Sequence, residues 1–281
     1  MNANLFYRLL SVLLVIVLVL GGLCILSGGT LLIVRIVQSR PDTPAGEPSL
    51  PTGTSERPTM ADPTAVMLAE GADAGLSYQD SLIFFGESTT THLRARGVLT
   101  GGKDTLQVWS DASGTRMLST QITSQPIVYP DTGESMRIAA ACEAKKPAFV
   151  VLSFGLNGIT GFIQNKQNYV NSYTKLIRAI QTASPDTRVI LQTVYPVANA
   201  ESFSVDVDTL NAYIMTLNEW LPEIAAANQN VRVADTASVL RNADGRLAKS
   251  YDSGDGIHLT EGAYRAVLSY LRTHAWVDTN Q

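Results

Sequence analysis

The chain has 281 residues, of which 45% are hydrophobic and 16% are charged, and its formal net charge is −4. A chain of this length can bury a core without the help of disulfides or metal ions. Residues 1–37 contribute two positive charges, so the remainder carries −6, and its sequence contains no run of Lys and Arg interleaved with aromatic residues. Nucleic acid is therefore excluded as an expected partner.

Part of the apolar excess is concentrated in residues 9–34, a stretch of 26 residues without a charged side chain. A helix of about 20 such residues can cross a bilayer. The stretch is longer than the apolar part of a cleavable signal peptide, and no small-x-small cleavage site follows it. Small residues do not directly precede Cys24, as they would in a lipoprotein signal. We therefore expect residues 1–37 to form an uncleaved transmembrane anchor.

The charges on either side of this segment do not decide its orientation. Arg8 and the free amino terminus lie before it, whereas Arg35 and Arg40 lie after it. A short leader ahead of a first apolar segment is typical of a signal anchor with a cytoplasmic amino terminus. The rest of the chain is therefore expected outside the cytoplasm.

The composition changes at residues 38–67, which are rich in Pro, Ser, Thr and Gly. Six of the 12 prolines fall between Pro41 and Pro63. Such a segment has little apolar surface to bury and is expected to be a flexible linker. The globular domain is then expected at residues 68–281. It contains one cysteine, Cys142, which cannot form a disulfide within the domain and is expected to be a small buried apolar residue.

From residue 68 onward, short apolar runs alternate with longer amphipathic stretches. The predicted strands are residues 82–85, 105–109, 149–153, 189–193 and 231–234. The predicted helices include residues 90–96, 136–143, 168–182, 208–227 and 260–273. This alternation predicts right-handed crossovers and a parallel sheet covered by helices on both faces. The expected fold class is α/β, a flavodoxin-like three-layer α/β/α sandwich with about five strands.

The first strand runs into Gly86-Glu87-Ser88, which places Ser88 just past the carboxyl end of a buried strand. Ligands bind at this edge of open α/β sheets, and a serine at the start of the following helix lies close to free backbone N–H groups. Taken alone, this stretch is better explained by Ser88 or Thr89 capping the following helix, as most Ser and Thr residues between a strand and a helix do. Two further motifs favour a catalytic role.

These motifs follow later strands. Phe154-Gly-Leu-Asn157-Gly comes directly after the third strand, and Asp255-Gly-Ile-His258 precedes the last helix. Ser88, Asp255 and His258 therefore occur in the chain order Ser, Asp, His. With Gly86-Glu87-Ser88, these blocks resemble the SGNH or GDSL family of serine hydrolases, whose marks are Gly-Asp-Ser, a glycine in a second block, Gly-x-Asn and Asp-x-x-His. The resemblance spans residues 82–271, and Glu87 stands where the family usually has Asp.

The resemblance implies a catalytic triad of Ser88, His258 and Asp255. A neutral imidazole would take the proton of the serine hydroxyl, and the carboxylate would orient the imidazole. The oxyanion hole would consist of the N–H groups of Ser88 and Gly114 and the side-chain amide of Asn157. The family's strand order, 2-1-3-4-5, would make these residues neighbours. No metal and no organic cofactor is required.

Other polar residues offer weaker alternatives. His92 is expected to be exposed or to cap the helix after Ser88, and His274 lies at the end of the last helix, where a cation suits the helix dipole. Asp252 is a weaker candidate than Asp255 for the triad carboxylate. Asp235, after the last strand, is expected to be structural.

The substrate is expected to be an acyl ester, O-acetyl above all, on a cell-envelope carbohydrate. Tyr195 and Phe203, in the loop of residues 195–206, could stack on a sugar ring or could only pack the loop down. The alternatives are an O-acyltransferase that uses the same triad and a catalytically silent glycan-binding or scaffolding domain, to which only Glu87 points. The sequence does not indicate an oligomeric state.

Overall fold

The computed structural model of the protein describes residues 63–277. The predicted anchor at residues 1–37 and the linker up to residue 62 lie outside this range. Within residues 63–277, no helix combines the length and the apolar character needed to span a bilayer.

Seven strands and seven α-helices are described in this range. The strands are β1 (Leu82–Gly86), β2 (Val108–Trp109), β3 (Pro126–Val128), β4 (Ser135–Arg137), β5 (Phe149–Ser153), β6 (Arg188–Gln192) and β7 (Val231–Ala234). The helices are α1 (Gly75–Asp80), α2 (Ser88–Ala95), α3 (Ile138–Lys145), α4 (Ile159–Gln164), α5 (Lys166–Ala183), α6 (Val207–Ala226) and α7 (Glu261–Thr273). Short 3-10 helices occupy Pro63–Val66, Gly102–Asp104 and Ser238–Leu240.

Five strands form one parallel sheet in the order β2-β1-β5-β6-β7. Because successive side chains of a strand point to opposite faces, a strand buried on both faces is mostly apolar along its whole length. In β1, Ile83 and Phe85 belong to the core under α3, α4, α5 and α6, and Leu82 and Phe84 to the core under α2 and α7. The predicted α/β/α sandwich, its five strands and their order are confirmed.

The predicted edge strand is shorter than expected, because only Val108 and Trp109 of residues 105–109 pair with β1 as a strand. The hydroxyl of Thr105 accepts the Gln107 N–H, and the Gln107 side-chain amide donates to the carbonyl of Leu82 at 2.8 Å. Side-chain hydrogen bonds to the backbone thus replace the beginning of the strand.

Sequence patterning missed a small antiparallel sheet formed by β3 and β4. Residues 135–137 were assigned partly to a helix, but Met136 pairs with Ile127 and α3 begins only at Ile138. Three-residue strands are too short to show a period of two, which explains the error. On α3, Cys142 is fully buried, and burial raises the pKa of its thiol to about 12. Its predicted apolar character is confirmed.

The ordered domain begins before the predicted boundary at residue 68. Pro63–Val66 form a 3-10 helix, and Met67 pairs in parallel with Val233 of β7. The Leu68 N–H donates to the Val233 carbonyl at 2.8 Å. The predicted end of the linker at residue 67 is therefore too late, because a local excess of proline does not show that the next residues pair with a distant strand.

Candidate active site

Ser88 is the first residue of α2, two residues after β1 ends at Gly86. A Cβ on Gly86 would overlap the Thr90 hydroxyl and the Ser153 carbonyl, so only glycine allows α2 to start this close to β5. Among residues 63–277, no described hydrogen bond uses the Ser88 N–H. Ser88 thus combines a half-buried hydroxyl with an N–H that no described bond uses, at the positive end of a helix.

The loop between β7 and α7 carries Asp255 and His258. Asp252 organises this loop, because its Oδ1 accepts the N–H groups of Gly254 at 2.9 Å and Gly256 at 2.8 Å. Asp255 accepts the N–H of His258 through its own Oδ1 at 2.8 Å. The role of Asp252 is therefore to shape the loop rather than to contact the histidine.

Two hydrogen bonds connect the three predicted triad residues. Nδ1 of His258 lies 2.6 Å from Oδ2 of Asp255, and Nε2 lies 3.0 Å from the Ser88 hydroxyl. Burial raises the pKa of Asp255, but bonds from the His258 N–H, the His258 ring and the Ile257 N–H together lower it to about 2. Asp255 is therefore ionised and must accept the Nδ1 proton, which leaves Nε2 free to accept the serine proton.

Glu87, which precedes Ser88, is buried and only 3% exposed. Its Oε1 accepts the Gly155 N–H at 2.7 Å, and its Oε2 accepts the Asn157 N–H at 3.1 Å. Burial raises the pKa of Glu87 to about 8, against the lowering effect of these N–H groups. The acid thus connects the turn that carries Ser88 to the loop that carries Asn157.

The loop after β5 presents Asn157 half-buried beside this connection. Gly155 has a φ of +145°, and a Cβ there would lie 2.8 Å from the Val194 side chain. Only glycine fits this position. No described hydrogen bond in residues 63–277 uses the Asn157 side-chain amide, so it is available as a donor to a bound group.

Gly114 lies against α2, where its carbonyl accepts the Thr91 hydroxyl at 3.1 Å. Its N–H, however, donates to Oδ1 of Asp111 at 2.7 Å. The N–H that the family resemblance assigns to the oxyanion hole is thus already used within its own turn. It can serve an oxyanion only after release from Asp111.

The structure corrects the expectation for His92, which neither lies exposed nor caps a helix. Its ring stacks on that of His258, with centroids 4.3 Å apart and an angle of 28° between the planes. His274 lies at the carboxyl end of α7, as expected, and stacks on Tyr270. The spacing of four residues between Ser88 and His92 on one helix is the sequence signal that could have indicated the contact.

Two further assignments concern the β6–α6 loop and β7. Tyr195 is buried, and its hydroxyl accepts the Gln192 amide at 2.7 Å, so of the two alternatives it packs the loop down rather than stacks on a sugar ring. Phe203 is partly buried and packs against the core. Asp235 accepts the Thr193 hydroxyl at 3.2 Å and bonds within the sheet edge, in agreement with a structural role.

A serine hydroxyl bonded to a histidine that a carboxylate orients, at the carboxyl edge of a parallel α/β/α sheet, defines a serine hydrolase. The model of the GDSL-like lipase/acylhydrolase family matches residues 84–266, which is more than half of the chain. The chain belongs to this family and is an ester-hydrolysing serine hydrolase. No curated protein matches it.

Three solved structures are similar to this chain at low sequence identity. A GDSL-like lipase from Bacteroides thetaiotaomicron is 18% identical, with a TM-score of 0.46, and the match covers 75% of this chain and 91% of that one. A family 3 carbohydrate esterase from Talaromyces cellulolyticus is 16% identical, with a TM-score of 0.44 and coverage of 68% and 93%. One from Clostridium thermocellum is 18% identical, with a TM-score of 0.40 and coverage of 67% and 91%.

Proposed function

We propose that this protein is a membrane-anchored, extracytoplasmic serine esterase that removes short acyl groups, acetyl above all, from cell-envelope carbohydrate. Catalysis would use Ser88, His258 and Asp255. The observation that carries the proposal is the continuous pair of hydrogen bonds from the serine hydroxyl through the imidazole to an ionised carboxylate.

In the proposed mechanism, the Ser88 hydroxyl attacks the ester carbonyl while Nε2 of His258 takes its proton. The imidazolium that forms is stabilised by Asp255. It then returns the proton to the leaving alcohol, and an acyl-serine remains. Water, deprotonated by the same nitrogen, attacks the acyl-serine and releases the carboxylic acid and the free serine.

The tetrahedral intermediates of acylation and of deacylation both carry a negatively charged oxygen. The free N–H of Ser88 and the unoccupied amide of Asn157 are the donors best placed to stabilise it. Gly114 would join them only if its N–H leaves Asp111. In the conformation described, the proposed oxyanion hole therefore consists of two donors, the Ser88 N–H and the Asn157 side-chain amide.

The size of the space near the site supports a short acyl group. A cavity near the site is lined by Glu87 and Thr89, which are the two chain neighbours of Ser88. Ile257, the residue before His258, also lines it. The rest of its lining is mainly apolar and comes from the last residue of β5 and from the loops that follow β5 and β6. It has room for about one water molecule. A methyl group fits such a space, whereas a long chain would need rearrangement.

The proposed location rests on the sequence outside the described range. Residues 9–34 are long and apolar enough for a single membrane span, and a proline-rich segment separates them from the ordered domain. An enzyme anchored in this way would lie close to the glycans of the cell envelope, whose acyl esters are the proposed substrates.

The test uses the full-length chain and a chromogenic acetyl ester. Ser88→Ala should lower kcat/KM by about 10⁴ or more, because the nucleophile is lost. The matched control is Ser124→Ala, since Ser124 is exposed and, within residues 63–277, its hydroxyl bonds only the Gln121 carbonyl. Activity of the Ser88 variant within about tenfold of wild type would exclude the triad.

A further inference from the structure

The second imidazole at the site, His92, takes no part in the mechanism above. It lies on α2 one turn after Ser88, so the helix that supplies the nucleophile also supplies this ring. The two histidine rings are 4.3 Å apart and nearly parallel. His92 therefore covers one face of the imidazole that bonds Ser88 and Asp255.

The surroundings of His92 favour its uncharged form. The ring is partly buried, and its Nδ1 is inaccessible to solvent and has no hydrogen-bond partner within residues 63–277. Burial lowers the pKa of His92, the positive charges of protonated His258 and of Arg96 lower it further, and Asp255 opposes them. Protonating His92 would leave a partly buried cation that lacks an acceptor at Nδ1.

The other ionisable groups near this part of α2 are occupied elsewhere. Tyr264 of α7 donates its hydroxyl to the Thr89 carbonyl at 2.6 Å. Arg94 reaches the Ser110 hydroxyl at 3.4 Å, on the side of α2 that faces β2. The groups acting on His92 are thus His258 and Asp255 from the loop before α7 and Arg96, the residue directly after α2.

We propose that His92 is a positioning residue for His258: its neutral ring holds the catalytic imidazole in the plane that reaches both Ser88 and Asp255, and its protonation inactivates the enzyme. The inference rests on the proposed function. A stacked ring removes the space into which the imidazole could rotate, and aromatic pairs of this geometry are attractive.

The charge part of the proposal follows from the reaction. His258 becomes positive each time it takes the serine proton. A second positive ring 4.3 Å away would repel that charge and oppose each proton transfer. The active form therefore needs both imidazoles neutral, and activity should depend on the loss of two protons rather than one.

Two variants separate the ring from its charge. His92→Phe keeps a flat ring on His258 but cannot be protonated, and His92→Ala removes the ring. His274→Phe is the matched control, because His274 is the third histidine of the chain and stacks on Tyr270. In the full-length chain, kcat and KM for an acetyl ester are measured from about pH 4.5 to about pH 9, a range that brackets histidine titration.

At the alkaline end, His92→Ala should lower kcat about tenfold with KM changed by less than about twofold, whereas His92→Phe should stay within about threefold of wild type. At the acid end, the loss of kcat/KM in wild type and His274→Phe should steepen from about tenfold to about a hundredfold per pH unit once the second imidazole is also protonated, the signature of two protons. His92→Phe should lose only about tenfold per unit, the signature of one.

An equally steep acid limb in His92→Phe, or an unchanged kcat in His92→Ala, would overturn the proposal. If His92→Ala fails to fold, the acid limb of His92→Phe still tests whether protonation of His92 inactivates the enzyme. The two proposals can fail separately. If wild type is active and Ser88→Ala is not, the esterase stands whatever the His92 variants show.

Discussion

At the scale of single residues, the free amide of Asn157 is the feature with the clearest chemical consequence. It is half-buried at the carboxyl edge of the sheet, and no described hydrogen bond in residues 63–277 occupies it. A donor that is not engaged in the resting enzyme needs no reorganisation when negative charge develops on the substrate oxygen. Its contribution should therefore appear in the transition state rather than in substrate binding.

We predict that Asn157→Ala lowers kcat by roughly 10²–10³ and changes KM by less than about threefold. Steady-state kinetics with an acetyl ester tests this. Asn171→Ala is the matched control, since Asn171 is exposed on α5 and, among the described residues, its side chain bonds only the Gln167 amide. A loss confined to KM would mean that Asn157 holds the substrate without stabilising the oxyanion.

At the scale of elements, three strand-to-helix connections build the site. The β1–α2 turn supplies Ser88, the β5–α4 loop supplies Asn157, and the β7–α7 loop supplies Asp255 and His258. Glu87 joins the first two, because its carboxyl group accepts backbone N–H groups of the β5–α4 loop. The family's usual Asp is one methylene shorter, and Glu87 uses its longer reach inside a fully buried position.

We predict that Glu87→Ala lowers the free energy of unfolding by about 2–4 kcal/mol, because two buried N–H groups lose their acceptor. Activity should fall as well, since the Asn157 loop loses its connection to the nucleophile turn. Denaturant unfolding and acetyl-ester kinetics measure the two effects. Glu87→Gln is the comparison, because its amide oxygen can still accept N–H groups.

The same comparison has a defined pH dependence. The pKa of Glu87 is raised to about 8 in the folded protein, so between about pH 4.5 and pH 8 the folded state holds a proton that the unfolded state has lost. The contribution of Glu87 to stability is therefore complete below this window and is lost as the pH rises through it. Glu87→Gln should lack this dependence, and an equal pH dependence in both proteins would contradict the assignment.

At the scale of the whole molecule, the question is which acceptor receives the acyl group. Hydrolysis and transfer share the acyl-serine and differ in whether water or a sugar hydroxyl attacks it. The sequence contains one apolar segment long enough to span a membrane, so a transferase would need a separate partner to deliver activated acyl groups.

We therefore predict that the full-length protein releases acetate from an acetyl donor at a rate that an added oligosaccharide does not increase. Product analysis by chromatography follows free acetate and acetylated sugar together. Ser88→Ala controls for uncatalysed transfer. Acetylated sugar forming faster than acetate would assign the protein to the transferases.

Much of the fold could be predicted from local patterns. Short runs dominated by apolar residues located β1, β5, β6 and β7 to within about one residue, because strands buried on both faces are mostly apolar. The periods of α5, α6 and α7 were equally clear, since each buries one stripe. The edge strand β2 and the hairpin of β3 and β4 were misjudged, because their pairing depends on side-chain bonds and on distant partners.

The sequence by itself determined the chain order of the reactive residues, their positions after strands and the family to which they point. Only the tertiary structure decided how these residues use their hydrogen bonds. Glu87 bonds a loop 68 residues further along the chain, and His92 meets a ring 166 positions away. Asp111 accepts the N–H of Gly114, and Tyr195 is buried in the core. The physical reason is that the acceptors and neighbours competing for a polar group are brought to it by folding, whereas a sequence pattern records only the groups nearby in the chain.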